Sequence, residues 1–157
     1  MTITRRPETP VDEPFLRQMI IASIGQDLMA WSWPEAMRDH LLGIQYTSKV
    51  GSLRANYPQG TSEIILVDEQ PAGWIFLDES PERIHLCEIM VLIEMRGRGV
   101  AAAALREVLA AADRTGKPVQ LEVNPMNVRA IQLYEHLGFV RTGGDEMNHE
   151  MERAAKT

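Results

Sequence analysis

Residues 93–104 read IEMRGRGVAAAA, and this stretch joins an apolar run to a run of helix-forming residues. Gly97 and Gly99 let a ligand approach the backbone closely, because neither carries a Cβ atom. The helix predicted to follow presents unpaired N–H groups and partial positive charge at its N-terminus. Arg96 and Arg98 add guanidinium groups that suit phosphate oxygens. The stretch therefore predicts a strand, an anion-binding turn and a helix, with a pyrophosphate as the natural ligand.

The glycine stretch also satisfies a second pattern, the dinucleotide-binding fingerprint G-x-G-x-x-A. Glu122 lies 25 residues beyond Gly97, near the position of a ribose-binding carboxylate in such proteins. Only 58 residues follow Gly99, however, which is too few for the remaining βαβ units of that fold. A small nicotinamide-binding module stays an alternative, as does a plain tight turn with two solvent-facing arginines. A P-loop is excluded because no G-K-S/T follows the glycines.

The chain on either side of this stretch alternates between strand and helix patterns. Before it come a strand in TITRR, a helix capped by Asp12, a helix from about Pro34, two strands joined by a turn at EQP, and a longer strand in RIHLCEIMVLI. After it come a helix from Val100 to Gly116, the strand VQLEV, a helix from Asn127 to Leu137, and the strands FVRTG and NHEME. The predicted order β-α-α-β-β-β-α-β-α-β-β is an α/β fold of the α+β type, with about six or seven strands and about four helices.

Residues at helical spacing, apolar except for Ser48, give each of the first three predicted helices one face. The three sets are Phe15, Leu16, Met19 and Ile20; Met37, Leu41, Ile44 and Ser48; and Ala101, Leu105, Val108, Leu109 and Ala112.

The composition is that of a soluble globular protein, with 45% hydrophobic and 24% charged residues in a chain of 157. A single domain over residues 1–157 is expected at this length. The net charge of −6 and the pI of about 5.2 leave no broad cationic face for nucleic acid. The single cysteine, Cys87, allows no intrachain disulfide. No leader segment or long apolar run is present, so a cytoplasmic location without a membrane partner is expected.

A second motif lies about 25 residues after the glycine stretch, in LEVNPMNVRAIQLYEHLGF at residues 121–139. R-x-x-G-x-A at Arg96, Gly99 and Ala101, followed by N-x-x-A-x-x-L-Y-x-x-x-G-F from Asn127 to Phe139, resembles the GCN5-related N-acetyltransferase (GNAT) superfamily. The resemblance covers residues 60–145. The sequence departs from the common family pattern just before the arginine, where Ile93, Glu94 and Met95 stand in place of a proline and an aromatic residue.

The resemblance implies a splayed central sheet that binds acetyl-CoA as co-substrate. It implies that the backbone amides of Arg96, Gly97, Arg98, Gly99, Val100 and Ala101 hold the pyrophosphate. It also implies that Met90, Val91 and Leu92 pair with the pantetheine arm as an added strand would. Asn127 corresponds to a position that often contacts the cofactor, and Tyr134 to a tyrosine that often points at the thioester sulfur.

Acetyl transfer from a thioester to an amine needs a base, a donor for the oxyanion and an acid for the leaving thiolate. An amine must be neutral to attack a thioester, so a base removes its proton, and a free strand amide can stabilise the tetrahedral oxyanion. The leaving thiolate benefits from an acid, which a tyrosine with a pKa near 10 can supply, and no metal is required. Tyr134 has the alternative role of a packing residue beside Leu133 and Leu137.

Three residues are candidates for the base. Glu88 comes first, because it lies in an apolar strand where burial could raise its pKa. Glu122 corresponds, in the resemblance, to a fifth-strand position that holds the base in some family members. His85 has a reference pKa of about 6.5, which suits proton transfer, and strand alternation places it on the opposite face from Glu88. Water or the substrate itself is a further alternative.

The acceptor is expected between the first two helices and the late strands, as a metabolite amine, an amino acid, an antibiotic or a protein N-terminus. Trp31, Trp33 and Tyr46 are candidates to line its pocket, and Asp27, Glu35 and Asp39 to attract a cationic amine. A CoA-binding sensor without turnover is an alternative function. The sequence leaves open whether the protein is a monomer or a homodimer.

Overall fold

The computed structural model describes all 157 residues of the chain. The strands are β1 (Ile3–Pro7), β2 (Thr61–Val67), β3 (Gln70–Glu79), β4 (Ile84–Val91), β5 (Val119–Val123), β6 (Val140–Gly144) and β7 (His149–Arg153). The helices are α1 (Glu13–Asp27), α2 (Glu35–Asn56), α3 (Val100–Thr115) and α4 (Val128–His136), with short 3-10 turns at Pro10–Asp12, Ala30–Ser32 and Ile93–Met95. The predicted element order and fold class are confirmed.

The seven strands form one sheet in the order β1-β2-β3-β4-β5-β7-β6. Every neighbouring pair is antiparallel except β4 and β5, which run parallel. A dinucleotide-binding fold needs a doubly wound, mostly parallel sheet. The nicotinamide-binding alternative is therefore wrong on topology.

The two faces of the sheet are covered differently. Helices α3 and α4 lie on one face, where they close a core cluster of 19 buried residues that includes Leu105, Val108 and Phe139. Helices α1 and α2 lie on the other face over a cluster of seven buried residues, which includes Ile20 and Trp74. This second cluster takes its strand residues from β2 and β3, and none from β5, β6 or β7. One half of that face is therefore free of a covering helix.

The buried face of α2 differs from the apolar pattern read in the sequence. Leu42 and Tyr46 are its buried residues, whereas Met37, Leu41 and Ile44 point to solvent. Leu42 and Tyr46 also have helical spacing. They face α1 and the sheet because of the way α2 docks on them, and the periodicity of α2 by itself does not determine that docking.

Asp12 occupies the N-cap position of α1, as predicted, but its side chain does not cap that helix. Its two carboxylate oxygens instead accept hydrogen bonds of 2.7 Å from the Arg6 guanidinium, and one of them accepts from the Thr9 N–H. The hydrogen bonds from Arg6 hold the pKa of Asp12 well below its ordinary value. The carboxylate thus fastens β1 to the start of α1 through a bidentate pair.

None of the helices combines the length and the apolar character that crossing a membrane requires. The cytoplasmic location stays a prediction.

Candidate active site

Strands β4 and β5 separate after a short pairing, and the gap between them forms a cleft. Only Ile84, His85 and Leu86 pair with β5, opposite Val119 to Leu121. From Cys87 to Val91, β4 keeps β3 as its partner on one edge and has no strand on the other. An unpaired strand edge offers N–H and C=O groups to an extended ligand. The splayed sheet implied by the resemblance is present.

A bulge interrupts β4 at the point where the cleft begins. Phe76 of β3 lies opposite Glu88, whereas the next residue, Leu77, lies opposite Leu86. Cys87 is therefore the extra residue of a β-bulge. The alternation of side chains along β4 shifts by one residue at this position.

The bulge changes the relation between two candidate bases. His85 stacks on Tyr57 at the end of α2, with ring centroids 5.3 Å apart, and Glu88 pairs with Lys49 of α2. Both side chains therefore lie on the face covered by α1 and α2. The predicted placement on opposite faces is wrong, because it assumed an unbroken period of two.

The glycine stretch forms an open cradle at the start of α3. Gly97 and Gly99 have φ angles of 78° and 80°, in the left-handed region that favours glycine. A Cβ atom built on Gly99 would meet nothing within 4 Å. The N–H groups of Gly97, Arg98 and Gly99 donate to no main-chain acceptor. Open space beside free amide donors is the arrangement that binds an anion.

The two arginines of the cradle have different environments. The Arg96 guanidinium donates to Val91 O on β4 (3.2 Å) and to Ser23 Oγ (3.1 Å) and Gln26 Oε1 (3.1 Å) on α1. Its side chain is therefore occupied in fastening the loop to α1. Arg98 is exposed and forms no ion pair or hydrogen bond through its side chain. Of the two guanidiniums expected to bind a phosphate, only that of Arg98 has no partner within the chain, and its role stays a prediction.

Arg129 places a further cation beside the cradle, and this residue was not predicted from the sequence. Arg129, in the first turn of α4, is exposed and brings a guanidinium nitrogen within 3.6 Å of a Cβ built on Gly97. It stands two residues after the predicted Asn127, and that position inside the second motif is the only signal the sequence carries for it.

The side chain of Asn127 caps the N-terminus of α4. Its Oδ1 accepts a 3.2 Å hydrogen bond from the Ala130 N–H, so it caps α4 as predicted. The cap fixes where α4 begins, and with it the position of Tyr134 two turns later.

Tyr134 lies on α4, near enough to β4 for the charge of Glu88 to act on it. It is 8% exposed, and its ring packs against Phe139 with centroids 5.7 Å apart. Burial, together with the nearby charge of Glu88, raises the pKa of Tyr134 to about 12. The phenol is therefore protonated at neutral pH and available as a proton donor. The ring also packs in the core, as expected for the alternative role of Tyr134 as a packing residue.

Glu88 pairs with an ammonium group on α2. Its Oε2 lies 2.6 Å from Lys49 Nζ, and both side chains are partly buried. No local pattern predicts this partner, because Lys49 lies on α2, 39 residues earlier. Only the packing of α2 on the sheet brings the two charges together.

His85 and Glu122, the other two candidate bases, lie on β4 and β5. Burial, with the charge of Arg83 adding to it, lowers the pKa of His85. Glu122 is exposed on β5 and accepts a 2.7 Å hydrogen bond from Asn148 Nδ2. The charges of Glu122 and Asp78 act on the pKa of His85 in the opposite direction. Cys87 lies beside His85, with Sγ 3.6 Å from Nδ1, and burial raises its thiol pKa to about 12.

The structure thus has strands β4 and β5 that separate after a short pairing, an open glycine cradle at the start of α3, and a buried tyrosine on α4 that the charge of Glu88 reaches. Residues 23–139 match the profile of the Acetyltransferase (GNAT) family. The chain belongs to the GNAT family. The resemblance read from the two motifs is confirmed.

Among similar proteins, N-acetyltransferase 8B of Rattus norvegicus is 34% identical over 85 residues, which cover 54% of this chain and 35% of that protein. The matched segment thus spans about a third of the relative's length. A crystal structure of PaiA N-acetyltransferase from Thermoplasma acidophilum in complex with coenzyme A has a TM-score of 0.74 at 18% identity, covering 98% of this chain and 99% of that one. A crystal structure of ribosomal-protein-S18-alanine N-acetyltransferase from Escherichia coli has a TM-score of 0.67 at 18% identity, covering 99% and 96%. At these identities the likeness to solved structures shows the shared GNAT fold.

The residues expected around the acceptor are dispersed in this GNAT structure. Tyr46 is buried between α1 and α2, where its hydroxyl donates to Glu13 and Arg17 lies 5.2 Å from its ring centroid. It packs in the core instead of lining a pocket. Trp31 is 63% exposed and Trp33 is partly buried, both in the connection between α1 and α2. Asp27, Glu35 and Asp39 are all exposed around the same connection.

Proposed function

We propose that this chain, acting as one domain over residues 1–157, is an acetyl-CoA-dependent N-acetyltransferase. The acetyl group passes to a primary amine by direct attack within a ternary complex. The observation that carries the proposal is the separation of β4 and β5 beside the open cradle at Gly99. Membership of the GNAT family and the coenzyme A held by a protein of the same fold support the choice of donor.

The donor is proposed to lie along the cleft with its pyrophosphate over residues 96–101. The free amides of Gly97, Arg98 and Gly99 are the donors for its oxygens, with the exposed guanidiniums of Arg98 and Arg129 beside them. The pantetheine arm would then extend along Met90, Val91 and Leu92, at and just beyond the end of β4. Asn127 contributes by fixing the start of α4.

Tyr134 is proposed as the acid that protonates the departing thiolate. Its raised pKa keeps the proton on the phenol until the sulfur develops charge. A main-chain N–H on the free edge of β4 is proposed to stabilise the tetrahedral oxyanion.

Glu88 is proposed as the base that takes the proton from the acceptor ammonium, directly or through water. It lies near enough to Tyr134 for its charge to act on the phenol. Glu122, His85, water and the substrate itself are the alternative bases, and His85 is neutral at physiological pH because its pKa is lowered.

A thermal-shift series tests the donor. Acetyl-CoA, CoA, NAD and NADP are compared at a hundred times their dissociation constants, where a specific ligand stabilises by about 2.7 kcal/mol. In a domain of this size that shift is about 5 to 10 °C. We expect a shift with the CoA species alone; no shift with either of them would contradict the proposed donor site.

Thiol release from acetyl-CoA then tests turnover. The acceptors to compare are an alkyl diamine, an amino acid, an aminoglycoside and a peptide with a free N-terminus. Release with at least one amine supports transfer. Binding of CoA without release from any of them would favour the sensor alternative instead.

A further inference from the structure

The chain has three lysines, and the ammonium group of one of them lies against the proposed base. Lys49 on α2 has its Nζ 2.6 Å from Oε2 of Glu88 on β4, and the two side chains are 33% and 20% exposed. The other two lysines, Lys117 and Lys156, lie near the C-terminal end of α3. The protein thus carries a primary amine of its own beside the carboxylate proposed to activate an acceptor amine.

Lys49 meets the geometric requirement for an acceptor. A general base takes a proton from a group within hydrogen-bond reach, about 2.6–3.2 Å between heavy atoms. The distance from Lys49 Nζ to Glu88 Oε2 lies in this range. Glu88 belongs to the part of β4, Cys87–Val91, whose outer edge has no strand and along which the donor is proposed to bind. Lys49 Nζ therefore stands beside the base, where the ammonium of an external acceptor stands in the proposed transfer.

The ion pair leaves both groups free to react. Neither the Lys49 nor the Glu88 side chain makes another polar contact within the chain. The ammonium group has three donors and the carboxylate has two oxygens, so the pair uses only part of each group. A lysine amine also stands on a flexible four-carbon stem, so Nζ can move towards a neighbouring thioester while α2 stays in place.

We propose that Lys49 is an acetylation site that the protein modifies itself, within one chain, when no external amine occupies the acceptor position. This inference rests on the proposed function. Glu88 takes one proton from the Lys49 ammonium and passes it to water, and the neutral Nζ attacks the carbonyl carbon of acetyl-CoA. The C–N bond forms and the C–S bond breaks. The thiolate takes the proton of Tyr134, and the second proton of the nitrogen replaces it. The products are acetylated Lys49, CoA and one proton.

Acetylation of Lys49 ends its ion pair with Glu88. The modified side chain is a neutral amide, so the carboxylate loses its ammonium partner. Each chain therefore reacts once, and afterwards Glu88 is free to take a proton from an external amine.

Peptide mass mapping after incubation with acetyl-CoA, without any added amine, tests the proposal. Lys117 is the matched control, because its Nζ also lies 2.6 Å from a glutamate oxygen, Oε2 of Glu79, but near the end of α3 that is far from the glycine cradle. Uncatalysed acetylation acts on both lysines. We expect Lys49 to be acetylated faster than Lys117 by about tenfold or more. Equal rates at the two lysines overturn the proposal.

Two variants test whether Glu88 is the base for this reaction. Glu88→Gln keeps the size of the side chain but removes the base, so acetylation of Lys49 should be lost. Glu79→Gln is the matched control and should leave the rate at Lys49 unchanged. Acetylation at the parental rate in Glu88→Gln overturns the proposal. If Lys49 is already acetylated in the protein as purified, the same comparison is made between the purified variants.

A mixing experiment tests whether the transfer stays within one chain. Parent protein is incubated with acetyl-CoA and an affinity-tagged Glu88→Gln variant, which is then recovered and mapped. Lys49 of the variant should stay unmodified, because its own chain lacks the base. Acetylation of that lysine by the parent protein overturns the intramolecular step.

Thiol release with added amines separates this inference from the proposed function. Release with an external amine by a protein whose Lys49 stays unmodified overturns the inference and leaves the function standing. A protein that binds CoA but shows neither release nor modified Lys49 overturns both. Modified Lys49 without release to any added amine supports the inference and limits transfer to the chain's own lysine.

Discussion

Arg96 Nη2 lies 3.1 Å from Ser23 Oγ, and this contact connects the glycine cradle to the last turn of α1. Ser23 is itself buried, so the hydrogen bond forms in a site with little water. The arginine expected to face a phosphate is thereby part of the framework that holds the cradle in place.

The two arginines of the cradle are expected to respond differently to substitution. Arg96→Met removes hydrogen bonds to Ser23, Gln26 and Val91, so it should lower the free energy of unfolding by about 1–3 kcal/mol. Arg98→Met removes an exposed charge, so it should leave stability unchanged and weaken CoA binding several-fold. Chemical denaturation and calorimetry measure the two effects. Equal loss of stability in both variants would contradict the distinction.

Gly99→Val is expected to weaken CoA binding at least tenfold, because the side chain would occupy the open space over the cradle. Gly116→Val is the matched control. Gly116 has a similar φ of 71°, also has no atom within 4 Å of a built Cβ, and lies at the far end of α3. Both variants should lose about 1–3 kcal/mol of stability from strain. Calorimetry should find the affinity for CoA reduced only in Gly99→Val.

Tyr134→Phe is expected to lower kcat about a hundredfold or more, while the affinity for CoA changes little. The phenol hydroxyl is lost but the packing against Phe139 is kept. Tyr46→Phe is the control, since it removes a hydroxyl that donates to Glu13 away from the cleft. Thiol release with an accepted amine measures kcat; equal kcat in Tyr134→Phe and the parent protein would exclude the hydroxyl as the acid.

Substitutions of Lys49 and Glu88 are expected to have coupled effects on the free energy of unfolding but different effects on kcat. A double-mutant cycle of Lys49→Met and Glu88→Gln should give a coupling of about 1 kcal/mol in unfolding free energy, since the pair lies 2.6 Å apart and is partly shielded from water. Glu88→Gln should lower kcat strongly whether or not Lys49 is present. Full activity in Glu88→Gln would transfer the role of base to Glu122, His85 or water.

Stability is expected to fall in mild acid because of His85. Its pKa is lowered in the folded protein, so below the ordinary value of 6.5 the unfolded chain binds a proton that the folded protein does not. The free energy of unfolding should therefore decrease as pH falls below 6.5, by at most about 1.4 kcal/mol per pH unit. The groups that act on His85 are Tyr57, Asp78, Arg83, Cys87 and Glu122. His85→Phe, which keeps the ring on Tyr57, should flatten this dependence in denaturation curves at pH 7.5 and 5.5.

Local signals in the chain predicted most of the elements. Gly116 has a positive φ and ends α3, Asn127 accepts from Ala130 and starts α4, and the glycines of the cradle adopt the backbone that only glycine adopts easily. Predictions failed where a distant contact decided the outcome. The β4 bulge at Cys87 placed His85 and Glu88 on the same face, where opposite faces were expected. The docking of α2 exposed the face that held its most regular apolar spacing.

The sequence by itself determined the order of the elements, the fold family and the place of the cradle, because caps, glycines and periodicity act within a few residues. Tertiary structure alone decided the partners of the charged groups. Lys49 reaches Glu88 because α2 docks across β4, and Arg96 bonds to α1 because the first helix lies over the cradle. Such pairs depend on the packing of elements that lie far apart in the chain, and no local pattern encodes that packing.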